Sequence, residues 1–191
     1  MIDKNRNLSQ HLASPNEAAL SHSNKFDGLH LSPHFSLGEL TKTSYKTSDG
    51  NEPPLEAVEN LITLCEDWLE ELRYIYNRKY VLDPEDDYST SKKVKGIIIN
   101  QGFRSIQVSE AMAKAGLKPS KTSNHLKGCA VDINCKDKQQ ANRYMQILYR
   151  MSEKHNRDFD ELFLERRGDT FWVHFAVRPT GNRRKIRYML G

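Results

Sequence analysis

The sequence predicts an α+β domain in which helices pack a small, antiparallel-rich sheet. Two stretches, 55–72 and 138–155, place apolar residues three and four apart, the period of an amphipathic helix. Short apolar runs at 94–100, 128–133, 160–165 and 171–177 have strand length and are rich in β-branched and aromatic residues. Helices and strands in this order make an α+β domain. A chain of 191 residues fits one domain and can bury a sizeable core.

Residues 1–33 are rich in Ser, Asn and His and poor in large apolar side chains. They read as a flexible leader or a poorly packed arm, and the folded domain is expected over 34–191. After Asn51-Glu-Pro-Pro54, the positions Leu55, Val58, Leu61, Ile62, Cys65, Leu69 and Leu72 trace one helical face. Prolines are tolerated at such a start, and the helix is expected to back the sheet as scaffold. Residues 82–93 form a polar loop. The run 94–100, with three consecutive isoleucines, is expected as a buried strand, and 105–115 as a helix ending at Gly116. A second strand follows at 128–133. The long helix 138–155 has Ala141, Tyr144, Met145, Leu148 and Met151 at helical spacing. Two closing strands, 160–165 and 171–177, flank a turn at 166–169.

Twenty-nine basic against twenty-five acidic residues give a net charge of +4, too mild and too scattered to argue for nucleic acid. No stretch approaches the roughly 18 apolar residues of a membrane helix, so no membrane span is expected. The start of the chain lacks an apolar signal region, so a cytoplasmic chain, acting as a monomer, is expected as synthesised. Cys65, Cys129 and Cys135 are an odd count without a disulfide framework.

Chemistry concentrates in Ser123-Asn-His125-Leu-Lys-Gly128-Cys-Ala130-Val-Asp132 and in Trp172-Val-His174. His125 precedes a strand among polar neighbours. Asp132 lies in an otherwise apolar strand, where a lone carboxylate is costly without a cation or strong donors. Around His174, Val173, Phe175 and Val177 alternate with Trp172, His174 and Ala176, so the imidazole faces away from the core. Two imidazoles and a carboxylate can hold one zinc ion and leave a position open. Zinc so held lowers the pKa of water to about 7 and polarises a carbonyl, so hydrolysis is the expected chemistry. Cys129 falls inside the motif, but strand alternation turns it away from Asp132 and makes it a buried apolar residue.

The Ser-x-His-x-x-Gly-x-Ala-x-Asp element with a later Trp-x-His resembles the zinc D-alanyl-D-alanine metallopeptidases, which cut the peptide part of bacterial cell wall and share their fold with hedgehog domains. The likeness extends over about residues 35–180, through "FSLGEL", "IIINQGFRS" and "FDELFLE". It implies a hedgehog/D-alanyl-D-alanine-peptidase-like fold and one zinc on His125, Asp132 and His174. It also implies Glu165 as the general base that moves the proton of the attacking water, with Asp169 the alternative. Arg104 would anchor a peptide carboxylate in a bidentate pair, and Ser123 and Trp172 would help bind substrate. A tight hairpin of 160–165 with 171–177 pairs Glu165 near Thr170, four residues short of His174. That is roughly 13 Å along the strand, so a bend or bulge is required. The chain departs from the family at Gln101-Gly-Phe-Arg-Ser and at Leu117-Lys-Pro119, both on the expected substrate rim.

The resemblance implies a peptidase acting on peptidoglycan stem peptides, as a D,D-carboxypeptidase or an L-alanyl-D-glutamate-type endopeptidase. A phage-type lysin, reaching the wall after lysis or by another export route, suits the absent signal. The alternative is a non-catalytic zinc module of the same fold with a binding or structural role.

Overall fold

The structure, a computed structural model, describes Phe26 and residues 28–189. Its frame is a five-stranded sheet. The strands are β3 (Ile99–Gln101), β4 (Ala130–Cys135), β5 (Glu161–Arg167), β6 (Thr170–Ala176) and β7 (Lys185–Met189), in spatial order β3-β4-β6-β5-β7. All neighbours are antiparallel except β7, which runs parallel to β5. A two-stranded ribbon, β1 (His30–Ser32) with β2 (Phe35–Ser36), precedes the short α1 (Leu37–Leu40). The architecture is the mixed α+β arrangement expected.

One sheet face is core. Val131, Ile133, Leu162, Leu164, Val173 and Phe175 are all buried there, as two-residue periodicity demands. The expected scaffold helix runs further than its apolar pattern suggested, as α2 (Leu55–Leu64), a π-helical turn (Cys65–Leu69) and α3 (Glu70–Tyr80). The wider turn keeps Leu61, Leu64, Cys65, Trp68, Leu69, Leu72 and Tyr76 buried on one stripe past the point where a regular helix would rotate them away. Trp68 meets Phe175 with ring centroids 5.0 Å apart, tying helix to sheet. The long helix α5 spans Lys138–His155 as expected, capped by the Asp137 side chain and ended by Asn156 in the left-handed region.

Three local expectations change, while the helix expected over 105–115 is found. The strand expected over 94–100 is shortened to β3; Ile97 and Ile99 are buried while Ile98 is exposed, so the apolar run supplies alternating contacts before the ladder begins. The helix after Ser105 is α4 (Ile106–Lys114), with the serine side chain accepting from the Val108 N–H. Part of the expected leader is built into the fold. Phe26 and Leu31 join the core, and Glu70 receives the Ser32 hydroxyl at 2.7 Å and the His34 N–H at 2.8 Å. The rest of that leader, 1–25 and 27, lies outside the described residues. Finally, the closing strands extend to Arg167 and Thr170 around a two-residue turn, Gly168-Asp169, so Glu165 pairs with Trp172 rather than Thr170. No helix among the described residues is long and apolar enough to cross a membrane.

Candidate metal centre

Opposite the core face, β4 and β6 bring Asp132 and His174 directly across from one another as Cα partners. His174 Nδ1 lies 2.9 Å from Asp132 Oδ1. The third member, His125, stands on a 3₁₀ turn, Asn124–Lys127, whose first N–H bonds go to Ser123. Its Nε2 is 3.4 Å from the same Asp132 oxygen. One donor atom from each residue can be chosen so that all three lie within 4.8 Å of one another. A tetrahedral ion with bonds of about 2.1 Å needs its donors about 3.4 Å apart. The cluster is close to that span without movement of the backbone.

Backbone geometry holds the turn in place. Gly128 closes it at φ +65°, and a Cβ there would stand 2.3 Å from the Ala57 carbonyl oxygen, so only glycine lets α2 come this near. Gly102 has a similar role. A Cβ would meet the Leu40 carbonyl at 2.4 Å, and its own carbonyl lies 2.7 Å from His125 Nδ1.

That last contact fixes chemistry as well as position. A carbonyl oxygen only accepts, so Nδ1 carries the proton and the Nε2 lone pair is directed at the cluster. His174 is oriented in the same manner, with Nδ1 toward Asp132 and Nε2 3.3 Å from Glu161 Oε2. Each histidine therefore offers one nitrogen to a cation while an oxygen holds the other, the pattern that surrounds metal-bound imidazoles. The His174 ring also stacks on Phe163 with centroids 5.5 Å apart.

The electrostatics agree. Burial works to raise the Asp132 carboxyl, but the charge and hydrogen bonding of His125, then of His174, hold it well below the usual carboxylate range. Burial opposes charge on His174 as well; hydrogen bonds to Asp132 and Glu161 outweigh it and carry the ring up to about 10. A proton on His174 thus supplies the positive charge that this carboxylate requires, and a divalent ion would supply more. The residues present fit a metal ion.

Sequence reasoning had no place for Glu161, Asp160 or Arg183. Glu161 receives Arg183 Nη2 at 2.7 Å and Asn124 Nδ2 at 3.0 Å besides facing His174. Asp160, fully covered, takes Arg183 through Nε at 2.7 Å and Nη2 at 2.5 Å, and Asn124 at 2.8 Å. The two-residue period of "DELFLE" was the available signal, since Glu161, Phe163 and Glu165 share one face.

Glu165 stands on the site face, two pairs along from Phe163 and His174, or roughly 7 Å along the strand. No bend or bulge is needed, because the register differs from the one expected. Trp172 Nε1 donates to Glu165 Oε2 at 2.6 Å. Burial raises the Glu165 carboxyl above its ordinary value, as does the charge of Asp132; His174 and Trp172 only partly offset them. Asp169 is an exposed residue of the hairpin turn, five positions from His174, and is not brought to the cluster.

Arg104 is buried beside the site, its N–H bonded to the His125 carbonyl at 3.1 Å. Its guanidinium makes only a 3.3 Å contact to Gln101 and a 3.8 Å contact to the Met112 sulfur, and Nε has no partner at all. Gln101, Met112, Asp132 and Trp172 line a cleft of about 350 Å³. Ser123 directs its hydroxyl at the His125 N–H at 3.4 Å, a bracing contact within the turn. Cys129 is buried outside the cluster, its thiol pushed up to about 11 by burial. Comparison with protein-family models, curated proteins and solved structures gives no match, and function has to be read from this site's own chemistry.

Proposed function

We propose that this chain is a zinc-dependent peptidase of the hedgehog/D-alanyl-D-alanine-peptidase type, hydrolysing peptide bonds in peptidoglycan stem peptides. The observation that carries the reading is the paired fixing of the two imidazoles. His125 and His174 each present one nitrogen to the Asp132 carboxylate while Gly102 and Glu161 hold the other.

His125, Asp132 and His174 would hold the zinc, which supplies Lewis acidity and an acidified water when bound. Glu165, raised by burial and steadied by Trp172, is suited to take a proton and return it to the leaving amine. Arg104 is a cation packed against the ligand turn with its Nε unpartnered, and a guanidinium meets a carboxylate through two parallel bonds, which suits it to hold a peptide carboxylate. Holding that carboxylate positions the neighbouring peptide bond. A non-catalytic zinc module would need the ligands but neither Glu165 nor Arg104 in this setting.

Muropeptides incubated with purified protein, with and without chelator, and resolved by mass decide the matter. Chelator-sensitive loss of a terminal D-alanine, or of the bond between L-alanine and D-glutamate, is the expected result. Intact muropeptides with zinc-loaded protein would leave the non-catalytic module.

A further inference from the structure

The cleft beside Asp132 also carries two cations that the metal centre does not use. Lys42 follows α1 on one wall, and Arg167 ends β5 on the other. Both are exposed and neither is within ion-pair distance of a carboxylate among the described residues, though the charge of Lys42 acts on Glu39 nearby. Of the residues lining the cleft, Asp132 is the one acid, and its charge is engaged by the two histidines. Arg167 therefore stands without a compensating carboxylate at the end of the cleft away from the ligands, and Lys42 adds a second positive charge to the same cleft, partly offset by Glu39.

The strand register says how far away that charge lies. Arg167 pairs with Thr170, Glu165 with Trp172 and Phe163 with His174, so all six share the site face. From His174 to Thr170 is four residues, roughly 13 Å of strand. Extended peptide advances about 3.3–3.6 Å per residue, so the Arg167 level lies roughly four residues from the ligands. An arginine side chain leaning back shortens this to about two. Arg104, by contrast, is packed against the ligand turn itself.

We infer that Lys42 and Arg167 form a distal subsite for a peptide carboxylate. The favoured substrate would then be an acidic peptide with an internal carboxylate two to four residues from the scissile bond, beyond the group that Arg104 meets. This rests on the peptidase reading of the metal centre.

Two peptides of stem composition test it, one with its internal carboxylates free and one with them amidated. Each is titrated calorimetrically into zinc-loaded protein carrying Glu165→Gln, so that neither is consumed, and each is separately offered to the wild type for hydrolysis. Two exposed charge pairs together should favour the free form by about five- to tenfold, less at high salt. Adding Lys42→Ala and Arg167→Ala should bring the ratio to about one, while Arg167→Lys alone should keep most of it. Equal affinity for the two peptides without the cation substitutions, or a preference that survives the double substitution, overturns the subsite. Preference without hydrolysis leaves the subsite standing and removes the peptidase reading; hydrolysis without preference does the reverse.

Discussion

Glu161→Gln should weaken metal binding without unfolding the protein. The side chain accepts from His174 Nε2 at 3.3 Å, a long contact, and is itself held by Arg183 and Asn124. Loss of a carboxylate behind a metal-binding histidine costs 10- to 100-fold in affinity, or about 1.4–2.7 kcal/mol. Here the lower end is expected. Stacking on Phe163 keeps the His174 ring oriented, and glutamine can still accept from Nε2, so what disappears is chiefly the charge that makes the imidazole a stronger donor to metal. Competition with a chromophoric chelator at fixed pH measures the change, with circular dichroism checking the fold. Glu165→Gln, which alters the other carboxylate on the face but no histidine nitrogen, serves as the comparison and should bind metal as before. If the two substitutions shift affinity equally, or Glu161→Gln shifts it not at all, the argument that Glu161 orients His174 fails.

Elemental analysis should find one stoichiometric divalent ion in the parent protein and none in His174→Ala. Glu165→Gln should lower kcat/KM on a stem peptide by about 10²-fold or more, the usual worth of positioned proton transfer, while Asp169→Asn, an exposed turn change, should stay near wild type. Arg104→Ala should raise KM far more for peptides ending in a free carboxylate than for the same peptides amidated, read from initial rates on both. Asp160 is buried, which raises its carboxyl, but Arg183 and Asn124 hold it below the usual range. Its pairing therefore stabilises the fold above the unfolded carboxylate pKa and is lost as pH falls through the lowered one. Asp160→Asn should cost about 2 kcal/mol at pH 7 in urea denaturation and flatten the acid limb of the stability curve.

Two of the three candidate ligands were legible because they broke a local pattern, and His125 because it stands in the Ser-x-His element. Asp132 interrupts an apolar strand, and His174 sits on the polar beat of an alternating one. What could not be read was anything set by register or by long-range contact. The β5–β6 pairing depends on how tightly residues 166–170 turn, and a two-residue shift in that turn decides whether Glu165 stands near His174 or far from it. Glu161 looked like one more charge in "DELFLE" because its partners, Asn124 and Arg183, are 37 and 22 residues away. β7 alternates charged and apolar residues over only five positions and leaves Ile186 and Tyr188 exposed, yet it pairs along the whole of Glu161–Glu165. Such edge strands owe their place to the neighbour that receives them, not to their own propensity.

The placement of Asp132 and His174 also links fold specificity to chemistry. Both stand on strands with a neighbour on each side, directly opposite one another, while Ile133 and Val173, the next pair along, are completely buried. Sliding β4 by one residue against β6 would turn Asp132 into the core and Ile133 onto the site face. The apolar face forbids that slip with a buried isoleucine, valine and phenylalanine, and the forbidden state would in addition bury a carboxylate without a partner. His125 has no such protection from strand pairing. It depends instead on the Gly102 carbonyl, the Arg104 N–H bonded to its own carbonyl, and the close approach of α2 that Gly128 permits. Two donors are thus fixed by the register that defines the sheet, and the third by contacts reaching back to residues 40–57. The fold itself fixes the arrangement of the three candidate donors, which is the condition for tight and selective binding of an ion.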